Sequence, residues 1–497
     1  MGKSSINKSL RGINMSIITE VDLLKERRTK ILATIGPASQ SPEMIRALIA
    51  AGANIFRLNM SHGDHASHRE VYEHIRKISH ELNQPIAILA DLCGPKIRTG
   101  KFENGQIELT SGDKVTVTTR DILGSAKLIP SQYKSLADDV VVGSRILLND
   151  GELEFKVEAI AGTEISCRVV YGGVLKNHKG INLPGVNVSA PSLTSKDKDD
   201  AHFALELGVD FLALSFVRCA DDILELKTLI KKSGKDVHVI AKIEKPEALV
   251  EASNILAAAD GIMVARGDLG VELLPEQVPV AQSQLIDLAR LHFKPVIVAT
   301  QMLESMISSP RPTRAEVTDI AHAVTLGTDA VMLSAETAAG AFPVEAVEMM
   351  DRIARQTESY LWQSGAYGKN RPSKTSVSNS VWNIIADATS HMSKRLNAHA
   401  VLVISQSGMS AATMSSARPA APILAITARP EVCRKVALLW GVIPVLDEET
   451  GSINPNELAR RVAQEYGLAK TGEYVLLVRG FHSDPDLNTP TITTITI

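Results

Sequence analysis

The stretch VHVIAKIEKPEAL, residues 237–249, decides the fold prediction. It begins with an apolar run that is typical of a buried strand, and polar side chains appear where that run ends. Lys242 and Glu244 are two residues apart, so their side chains lie on the same face of a strand. Pro246 ends the strand and suits the first turn of a helix. A lysine beside a carboxylate at this position is typical of a barrel enzyme, although a surface salt bridge is the better explanation of the pair when it is considered alone.

The same layout recurs along the chain, which favours the barrel. Near-continuous runs of Val, Ile, Leu and Ala indicate strands that are buried on both faces, hence parallel strands covered by helices. Eight such runs with predicted helices between them indicate an α/β protein built on a (β/α)8 TIM barrel rather than an open sheet. The runs are residues 30–36, 54–59, 86–92, 211–216, 237–244, 261–268, 295–301 and 330–336.

One interval, between the third and fourth predicted strands, breaks this rhythm. Residues 95–192 contain short segments with alternating apolar and polar residues, and Asn149-Asp150-Gly151 is a hairpin turn signal. We therefore predict an inserted all-β domain. It leaves the barrel at the carboxyl end of a strand, where barrel active sites form, so we expect it to act as a lid.

The remaining length divides into a C-terminal domain and a short extension. A second series of alternating strands and helices follows the segment RPSKTSVSNS, residues 371–380, and predicts a doubly wound α/β domain over residues 369–497. The barrel then comprises residues 25–94 and 193–368. Residues 1–24 are predicted to be a loose N-terminal extension.

Composition excludes several function classes. A net charge of -3 gives no basic surface for nucleic acid, and the 4 cysteines lack the spacing of a zinc site or a disulfide framework. No apolar run is long enough to span a bilayer, and the N-terminus lacks the apolar core of a signal peptide. We predict a cytoplasmic protein without a membrane or nucleic-acid partner.

Polar side chains follow seven of the eight predicted strands. Because the carboxyl ends of parallel barrel strands meet at one rim, we expect these side chains to surround a single site. They are Arg57, Asn59, Asp91, Ser215, Lys242, Glu244, Arg266, Asp268, Thr300, Gln301, Ser334 and Glu336.

The balance of these groups indicates the chemistry of the site. Glu244 and Asp268 are hard oxygen donors on adjacent strands, suited to Mg²⁺ or Mn²⁺. Arg57, Arg98 and Lys242 are cations suited to a phosphate group. The amides of the glycine-containing segment ARGDLGVE, at a helix start, can hold a carboxylate. Together these features predict a small phosphorylated acid as the substrate.

Several longer motifs, taken together, resemble the pyruvate kinase family. They are RLNMSHG (57–63), DLCGPKIRTG (91–100), AKIEKPEAL (241–249), MVARGDLGVE (263–272), ATQMLESM (299–306) and PTRAEVTD (312–319). The match runs from about residue 28 to the C-terminus, with barrel, lid and C-terminal domain in the family's order. The resemblance implies a glycolytic enzyme that transfers the phosphoryl group of phosphoenolpyruvate to ADP, giving pyruvate and ATP.

The resemblance also implies roles for the barrel residues. Lys242 would stabilise the charge on the transferring phosphoryl group, and Arg57 would bind that group. Glu244 and Asp268 would hold the divalent ion, while the backbone at Gly267 and Asp268 would bind the substrate carboxylate.

Proton transfer and nucleotide binding fall to other motif positions. Thr300 lies where the family binds substrate and protonates the enolate, with Ser334 nearby. The residues implied on the nucleotide side are Asn59, His62, Arg98 and, from the lid, Lys179.

The chain departs from the commonest family pattern at two positions. Many members need K⁺ and have Thr and Glu where this chain has Leu92 and Lys96. Asn59, Ser61 and Asp91 still offer oxygens for a monovalent site. Lys96 brings a fixed ammonium to the same neighbourhood, so the chain resembles the K⁺-independent branch, and we expect Lys96 to replace the ion.

A loop in the C-terminal domain resembles the family's effector site. Residues 404–412, ISQSGMSAA, follow a predicted strand and open a helix, so hydroxyls and amides can surround a phosphate. The predicted effector residues are Ser405, Ser407, Gly408 and Ser410. The loop offers no cation for a second phosphate, so we expect a monophosphate such as AMP, ribose 5-phosphate or glucose 6-phosphate. Residues 479–490 would close over it.

The last predictions concern the assembly of subunits and the alternative functions. PTRAEVTD falls where the family packs barrel on barrel, so we expect an allosteric homotetramer. The alternatives are a Mg²⁺-dependent lyase or aldolase acting on a pyruvate enolate, including a Schiff-base aldolase through Lys242, and a catalytically silent sugar-phosphate sensor. The combined cation and carboxylate set favours phosphoryl transfer over all of these.

Overall fold

Eight parallel strands close into a barrel in the computed structural model, which describes residues 27–366, 381–482 and 484–497. Each strand pairs with its neighbours in the sequence, and the eighth pairs with the first through Lys30 and Ala330. The predicted barrel is confirmed. The predicted extension, residues 1–24, and the segment 371–380 lie outside the described residues. In order, barrel strands 1 to 8 are Lys30–Ile35, Ile55–Asn59, Ala87–Asp91, Phe211–Leu214, His238–Ile243, Gly261–Ala265, Val296–Ala299 and Ala330–Leu333.

Helices cover the outside of the barrel because each presents an apolar stripe to it. The first helix, for example, is capped by the Ser41 side chain and ends at Gly52, whose left-handed φ of 115° suits glycine. The α-helices are Pro42–Ala51, His65–Glu81, Ser195–Leu207, Ala220–Lys232, Pro246–Val250, Ala252–Ala258, Arg266–Glu272, Val278–Leu291, Arg314–Leu326, Ala335–Ala338 and Pro343–Gln363; short 3₁₀ turns span Pro275–Gln277 and Glu304–Ile307.

Successive side chains along each strand point alternately to the outer and the inner face of the barrel wall. On strand 5, Val239 and Ala241 face the surrounding helices, whereas Ile240 belongs to the apolar layer inside the barrel. Leu438, from the C-terminal domain, belongs to the same inner cluster. Lys242 is two residues beyond Ile240, so it points inward above this layer. The apolar layer therefore forms the floor of the polar site.

An all-β unit lies between barrel strands 3 and 4, as predicted. Its main sheet has six strands, and a second sheet has two. The Asn149–Gly151 turn has left-handed φ values and joins two antiparallel strands. The strands are Gln106–Leu109, Lys114–Thr118, Leu128–Pro130, Arg145–Leu148, Leu153–Ala161, Glu164–Tyr171, Gly173–Lys176 and Ile181–Asn182, with one helix, Leu136–Asp139.

The C-terminal part forms a five-stranded sheet, and its four parallel strands confirm the predicted doubly wound arrangement. The fifth strand, Thr491–Thr496, is antiparallel to its neighbour. The other strands are Ala400–Ile404, Ile423–Thr427, Val442–Leu446 and Tyr474–Arg479; the α-helices are Val381–Arg395, Met409–Ser416, Pro430–Val436 and Pro455–Glu465, and a 3₁₀ turn spans Pro485–Leu487. No described helix is long and apolar enough to cross a membrane.

Candidate active site

Lys242 is the central cation of the barrel mouth. Its ammonium nitrogen lies 2.9 Å from Glu244 Oε1 and 3.3 Å from Asp91 Oδ1, and it donates a hydrogen bond to Ser215 Oγ at 2.7 Å. Burial opposes the charged form, but the Asp91 and Glu244 carboxylates outweigh it and raise the pKa of Lys242. The ammonium is therefore charged at neutral pH and fixed in position by three oxygens.

Arg57 is the second cation and is held by side chains from two other strands. Its Nε donates to Asp91 Oδ2 at 2.6 Å, and a terminal nitrogen donates to Thr34 Oγ1 at 3.2 Å. Burial acts to raise the pKa of Asp91, but Lys242 and Arg57 together lower it. Asp91 thus stays ionised between two cations. Thr34 was not predicted, although its two-residue spacing from the inward-facing Leu32 signals that it points inward.

Glu244 and Asp268 are the predicted divalent-ion ligands, and both line the cavity at the barrel mouth. Glu244 Oε2 accepts a hydrogen bond from the Phe216 amide at 2.7 Å. Burial and the nearby Asp268 charge raise the pKa of Glu244, against the opposing effect of Lys242. Two carboxylates that repel each other make a cation between them favourable.

The number of carboxylates also fits a magnesium-type ion. Among the described residues, no group of three or more His, Cys, Asp or Glu side chains could hold a metal. Mg²⁺ typically uses one or two protein carboxylates and completes its shell with water and substrate oxygens. The pair formed by Glu244 and Asp268 meets that requirement without a third acidic ligand.

Thr300 joins two neighbouring strand ends. Its Oγ1 accepts a hydrogen bond from the Gly267 amide at 2.7 Å and donates one to the Ala299 carbonyl at 2.6 Å. Thr300 and Gln301 have left-handed φ values of 71° and 55°. This conformation is uncommon and strained for a β-branched residue, and such strain is concentrated at functional sites.

The structure brings most of the predicted site residues to one cavity of about 140 Å³. Lys179, on the lid, and Gly267 are not among the residues that line it. The Lys96 ammonium lines the cavity and makes no ion pair within the described part of the chain. The predicted residues at the cavity wall are Arg57, Asn59, Ser61, His62, Asp91, Lys96, Arg98, Ser215, Lys242, Glu244, Asp268, Thr300 and Ser334.

Two residues expected at the rim, Arg266 and Glu336, lie elsewhere, so that part of the prediction is wrong. Arg266 forms an ion pair with Asp319 instead, and Glu336 accepts hydrogen bonds from two backbone amides of the loops around it. Gln301, which we expected only to support the residues that contact the substrate, is exposed and does not line the cavity. The reason is that strand 6 ends at Ala265 and strand 8 at Leu333, with helices following, so strand alternation no longer sets side-chain direction.

The predicted effector loop has the expected backbone arrangement. Gly408 has a φ of 89° and caps the helix Met409–Ser416, and its amide donates to Ser405 Oγ at 3.0 Å. Ser407 is exposed, whereas Ser410 is buried. The loop therefore presents the Ser407 hydroxyl outward from a tight turn at a helix start.

Comparisons with known proteins agree over both parts of the chain. Residues 26–347 match the family model described as pyruvate kinase, barrel domain, and residues 383–493 match the one described as pyruvate kinase, alpha/beta domain. Pyruvate kinase 2 of Synechocystis sp. is 49% identical over 91% of this chain and 76% of its own length. The pyruvate kinase of Agrobacterium vitis is 43% identical over 92% of this chain and 94% of its own length.

A solved structure is similar over nearly the whole chain. A crystal structure of a pyruvate kinase from Cryptosporidium parvum gives a TM-score of 0.85 at 36% identity. The match covers 94% of this chain and 96% of the other.

Proposed function

Because this chain belongs to the pyruvate kinase family, and is a phosphotransferase whose substrates are phosphoenolpyruvate and ADP, we propose a role for each residue at the barrel mouth. The observation that carries the proposal is the position of Lys242 within 3.3 Å of Asp91 and 2.9 Å of Glu244, in the cavity that Asp268 also lines.

Lys242 and Arg57 bind and stabilise the transferring phosphoryl group. Phosphoryl transfer depends on positioning and on charge stabilisation at the equatorial oxygens. Lys242 supplies a fixed positive charge, because two carboxylates raise its pKa and Ser215 holds its ammonium. Arg57 is oriented by Asp91 and Thr34, and its remaining N–H groups can meet the phosphoryl oxygens.

Glu244 and Asp268 hold the divalent ion, Mg²⁺ or Mn²⁺. Pyruvate kinases are generally Mg²⁺-dependent, and the two mutually repelling carboxylates fit such an ion. When bound, the ion supplies charge neutralisation at the substrate oxygens. The amides at Gly267 and Asp268 orient the substrate carboxylate, which requires the Thr300 hydroxyl to share or release the Gly267 amide.

Thr300 and Ser334 act at the opposite side of the enolate from the phosphoryl group. Thr300 Oγ1 is held at a strained backbone position and can place a proton, directly or through water, at the methylene carbon of the enolate. Both residues line the cavity. Delivery of this proton converts the enolate to pyruvate after the phosphoryl group has left.

The nucleotide lies between the barrel and the lid. Asn59, His62 and Arg98 line the cavity, and Arg98, near the start of the lid, donates a hydrogen bond to the carbonyl of His178 within the lid. Lys179 follows His178, so a movement of the lid can bring it to the nucleotide phosphates. This motion is the usual way in which a lid excludes water.

Lys96 takes the place of a monovalent cation. The candidate oxygen ligands Asn59, Ser61 and Asp91 line the same cavity as the Lys96 ammonium. Leu92 supplies no hydroxyl at the position where many family members have one. We therefore expect turnover without K⁺.

The C-terminal loop binds a phosphorylated effector. The support is the loop geometry: Gly408 caps the helix Met409–Ser416 with a φ of 89°, and the exposed Ser407 lies directly before it. AMP, ribose 5-phosphate and glucose 6-phosphate all carry the single phosphate that the loop suits.

The homotetramer, the domain boundaries given above and the cytoplasmic location stay predictions.

A coupled assay with phosphoenolpyruvate, ADP and Mg²⁺ tests the central proposal. We expect pyruvate and ATP in equal amounts, in Na⁺ as well as in K⁺ buffer. Absence of both products would refute the proposal. The lyase alternative would then predict release of pyruvate from a larger 2-oxo acid with Mg²⁺, and the sensor alternative would predict no turnover with either substrate.

A further inference from the structure

A second cavity, of about 350 Å³, lies between the barrel and the C-terminal domain, at the opposite end of the barrel from the active site. Its barrel wall consists of residues at the start of strands 4 to 7, among them Phe211, His238 and Pro295. Its other wall comes from the helices Met409–Ser416 and Pro430–Val436. Cavities of this volume are of the size that accommodates small organic ligands.

The cavity is lined mainly by apolar and aromatic side chains. Trp382 lies 6.4 Å from the Phe293 ring and 6.2 Å from the Phe481 ring, measured between centroids. Both contacts hold the indole in place at the cavity wall, and Met409 and Leu439 add further apolar surface. A flat aromatic group fits such a lining, because it gains contact area without losing hydrogen bonds.

Two lysines give this apolar cavity a positive character. The Lys294 ammonium makes no hydrogen bond or ion pair with a described residue, and burial lowers its pKa. Lys435 is 5% exposed; its ammonium lies 2.8 Å from the Asp236 carboxylate but makes no hydrogen bond of good geometry. A partly buried cation without a partner is costly, so an anionic ligand group beside it is favourable.

The acidic group at the cavity wall, Asp260, favours the charged form of Lys294 but does not outweigh the effect of burial on its pKa. Asp260 is already paired with Lys227 at 2.9 Å, and its other oxygen accepts a hydrogen bond from the Val239 amide at 2.9 Å. His238 is neutral at pH 7, because burial lowers its pKa to about 4. Lys294 therefore remains the cation available to a ligand.

We propose that this cavity binds a small aromatic molecule that carries one negative group, a carboxylate, a sulfonate or a phosphate. The aromatic part lies against Trp382 and Phe293, and the negative group meets Lys294. Ser407 and Gly408 of the proposed effector loop also line this cavity, so the inference adjoins that proposed site. It depends on Lys294 and the aromatic wall and not on the phosphate-binding role given to the loop, and the variants below test these two features separately.

The probe is 8-anilinonaphthalene-1-sulfonate, titrated by fluorescence into the full chain with Mg²⁺ and phosphoenolpyruvate saturating the barrel mouth. N-phenyl-1-naphthylamine, which has the same rings without the sulfonate, is the uncharged comparison. We expect the sulfonate to bind at least tenfold more tightly than the amine.

Two variants locate the binding. Lys294→Gln should raise the Kd of the sulfonate about tenfold and leave that of the amine unchanged. Ala412→Phe, which fills the cavity from its C-terminal wall, should remove binding of both probes at an unchanged melting temperature. Lys77→Gln, at an exposed lysine elsewhere on the barrel, serves as the control.

Two results would overturn the proposal. One is sulfonate binding that neither variant changes, which would place the probe elsewhere on the surface. The other is equal binding of both probes with no effect of Lys294→Gln, which would leave an apolar cavity with no selectivity for anions.

Discussion

Arg266 and Asp319 form an ion pair at 2.6 Å that connects the active site to a surface helix. The other terminal nitrogen of Arg266 donates to the Thr300 carbonyl at 2.7 Å. Asp319 lies on the helix Arg314–Leu326, within the motif that the family resemblance assigns to a subunit contact. The strained backbone at Thr300 is therefore held, through one guanidinium, by a side chain at the edge of the barrel.

We expect Asp319→Asn to lower kcat about threefold, since a partly exposed ion pair contributes up to about 1 kcal/mol. The KM for phosphoenolpyruvate should change less, because Arg57 and Lys242 remain in place. Steady-state kinetics measure both. Thr318→Ala, which removes only a hydroxyl bonded within its own helix, is the matched control. An unchanged kcat in Asp319→Asn would show that Arg266 positions Thr300 without needing its ion pair with Asp319.

Lys242→Met should lower kcat by a factor of about 10³ or more, the size of effect seen when a preorganised charge is removed from a transition state. Binding of phosphoenolpyruvate with Mn²⁺, followed by electron paramagnetic resonance, should be largely retained. The substitution also leaves Glu244 buried without its cation and Asp91 with Arg57 alone, so a lower melting temperature is expected. Lys231→Met, on an outer helix, controls for loss of a lysine. Turnover within tenfold of the original would refute the role of Lys242.

Thr300→Val should slow enolate protonation about tenfold or more, whereas Thr300→Ser should retain most of the activity. Valine preserves the shape but frees the Gly267 amide and removes the proton-carrying oxygen. The measurement is the rate at which the enzyme with Mg²⁺ exchanges the methyl protons of pyruvate for deuterium in D₂O, compared with kcat of the forward reaction. Activity retained in Thr300→Val but lost in Thr300→Ser would instead assign Thr300 a packing role through its methyl group.

Activity in tetramethylammonium buffer should be at least half of that in K⁺ buffer at equal ionic strength. Lys96→Glu should lower activity and make it respond to added K⁺, because it removes the fixed cation and supplies an anionic ligand. Lys101→Glu, on the same segment and outside the cavity, is the control. A requirement for K⁺ in the unmodified protein would contradict the role given to Lys96.

The stability of the protein should fall below neutral pH through His238. Burial lowers the pKa of His238 to about 4, so the unfolded chain binds a proton that the folded chain does not. Its contribution is fully present above about pH 6.5 and is lost as the pH falls toward 4, by at most about 3 kcal/mol.

Denaturant unfolding measured between pH 7.5 and 5 checks this expectation. His238→Gln should reduce the slope of the unfolding free energy against pH, and His80→Gln, at an exposed histidine, should not. The same slope in His238→Gln and in the original chain would show that other groups cause the loss.

Periodicity predicted the barrel and the polar residues at its strand ends, and the family resemblance supplied the other predicted site residues. Continuous apolar runs identify strands buried on both faces, and the parallel arrangement then forces their carboxyl ends to one rim. Lys242 and Glu244 were placed together by this reasoning, and the structure gives 2.9 Å between their charged atoms. The same reasoning missed Thr34, which orients Arg57 from the first strand.

Side chains departed from the predicted direction where the backbone left the strand conformation. Arg266 and Glu336 follow strands in the sequence but lie in short helices, so one turns to Asp319 and the other to backbone amides. The Thr300–Gly267 hydrogen bond also could not be anticipated, because it depends on a left-handed φ that no sequence pattern requires of threonine.

The amino-acid sequence by itself determined the order of the domains, the identity of the charged groups and the end of the barrel at which they meet. It could do so because strand alternation and burial are local properties of the chain. Only the tertiary structure decided which charges pair, and that a cavity lined by aromatic residues and Lys294 lies between the two α/β units. Those features depend on distances between residues far apart in the chain, which packing alone sets.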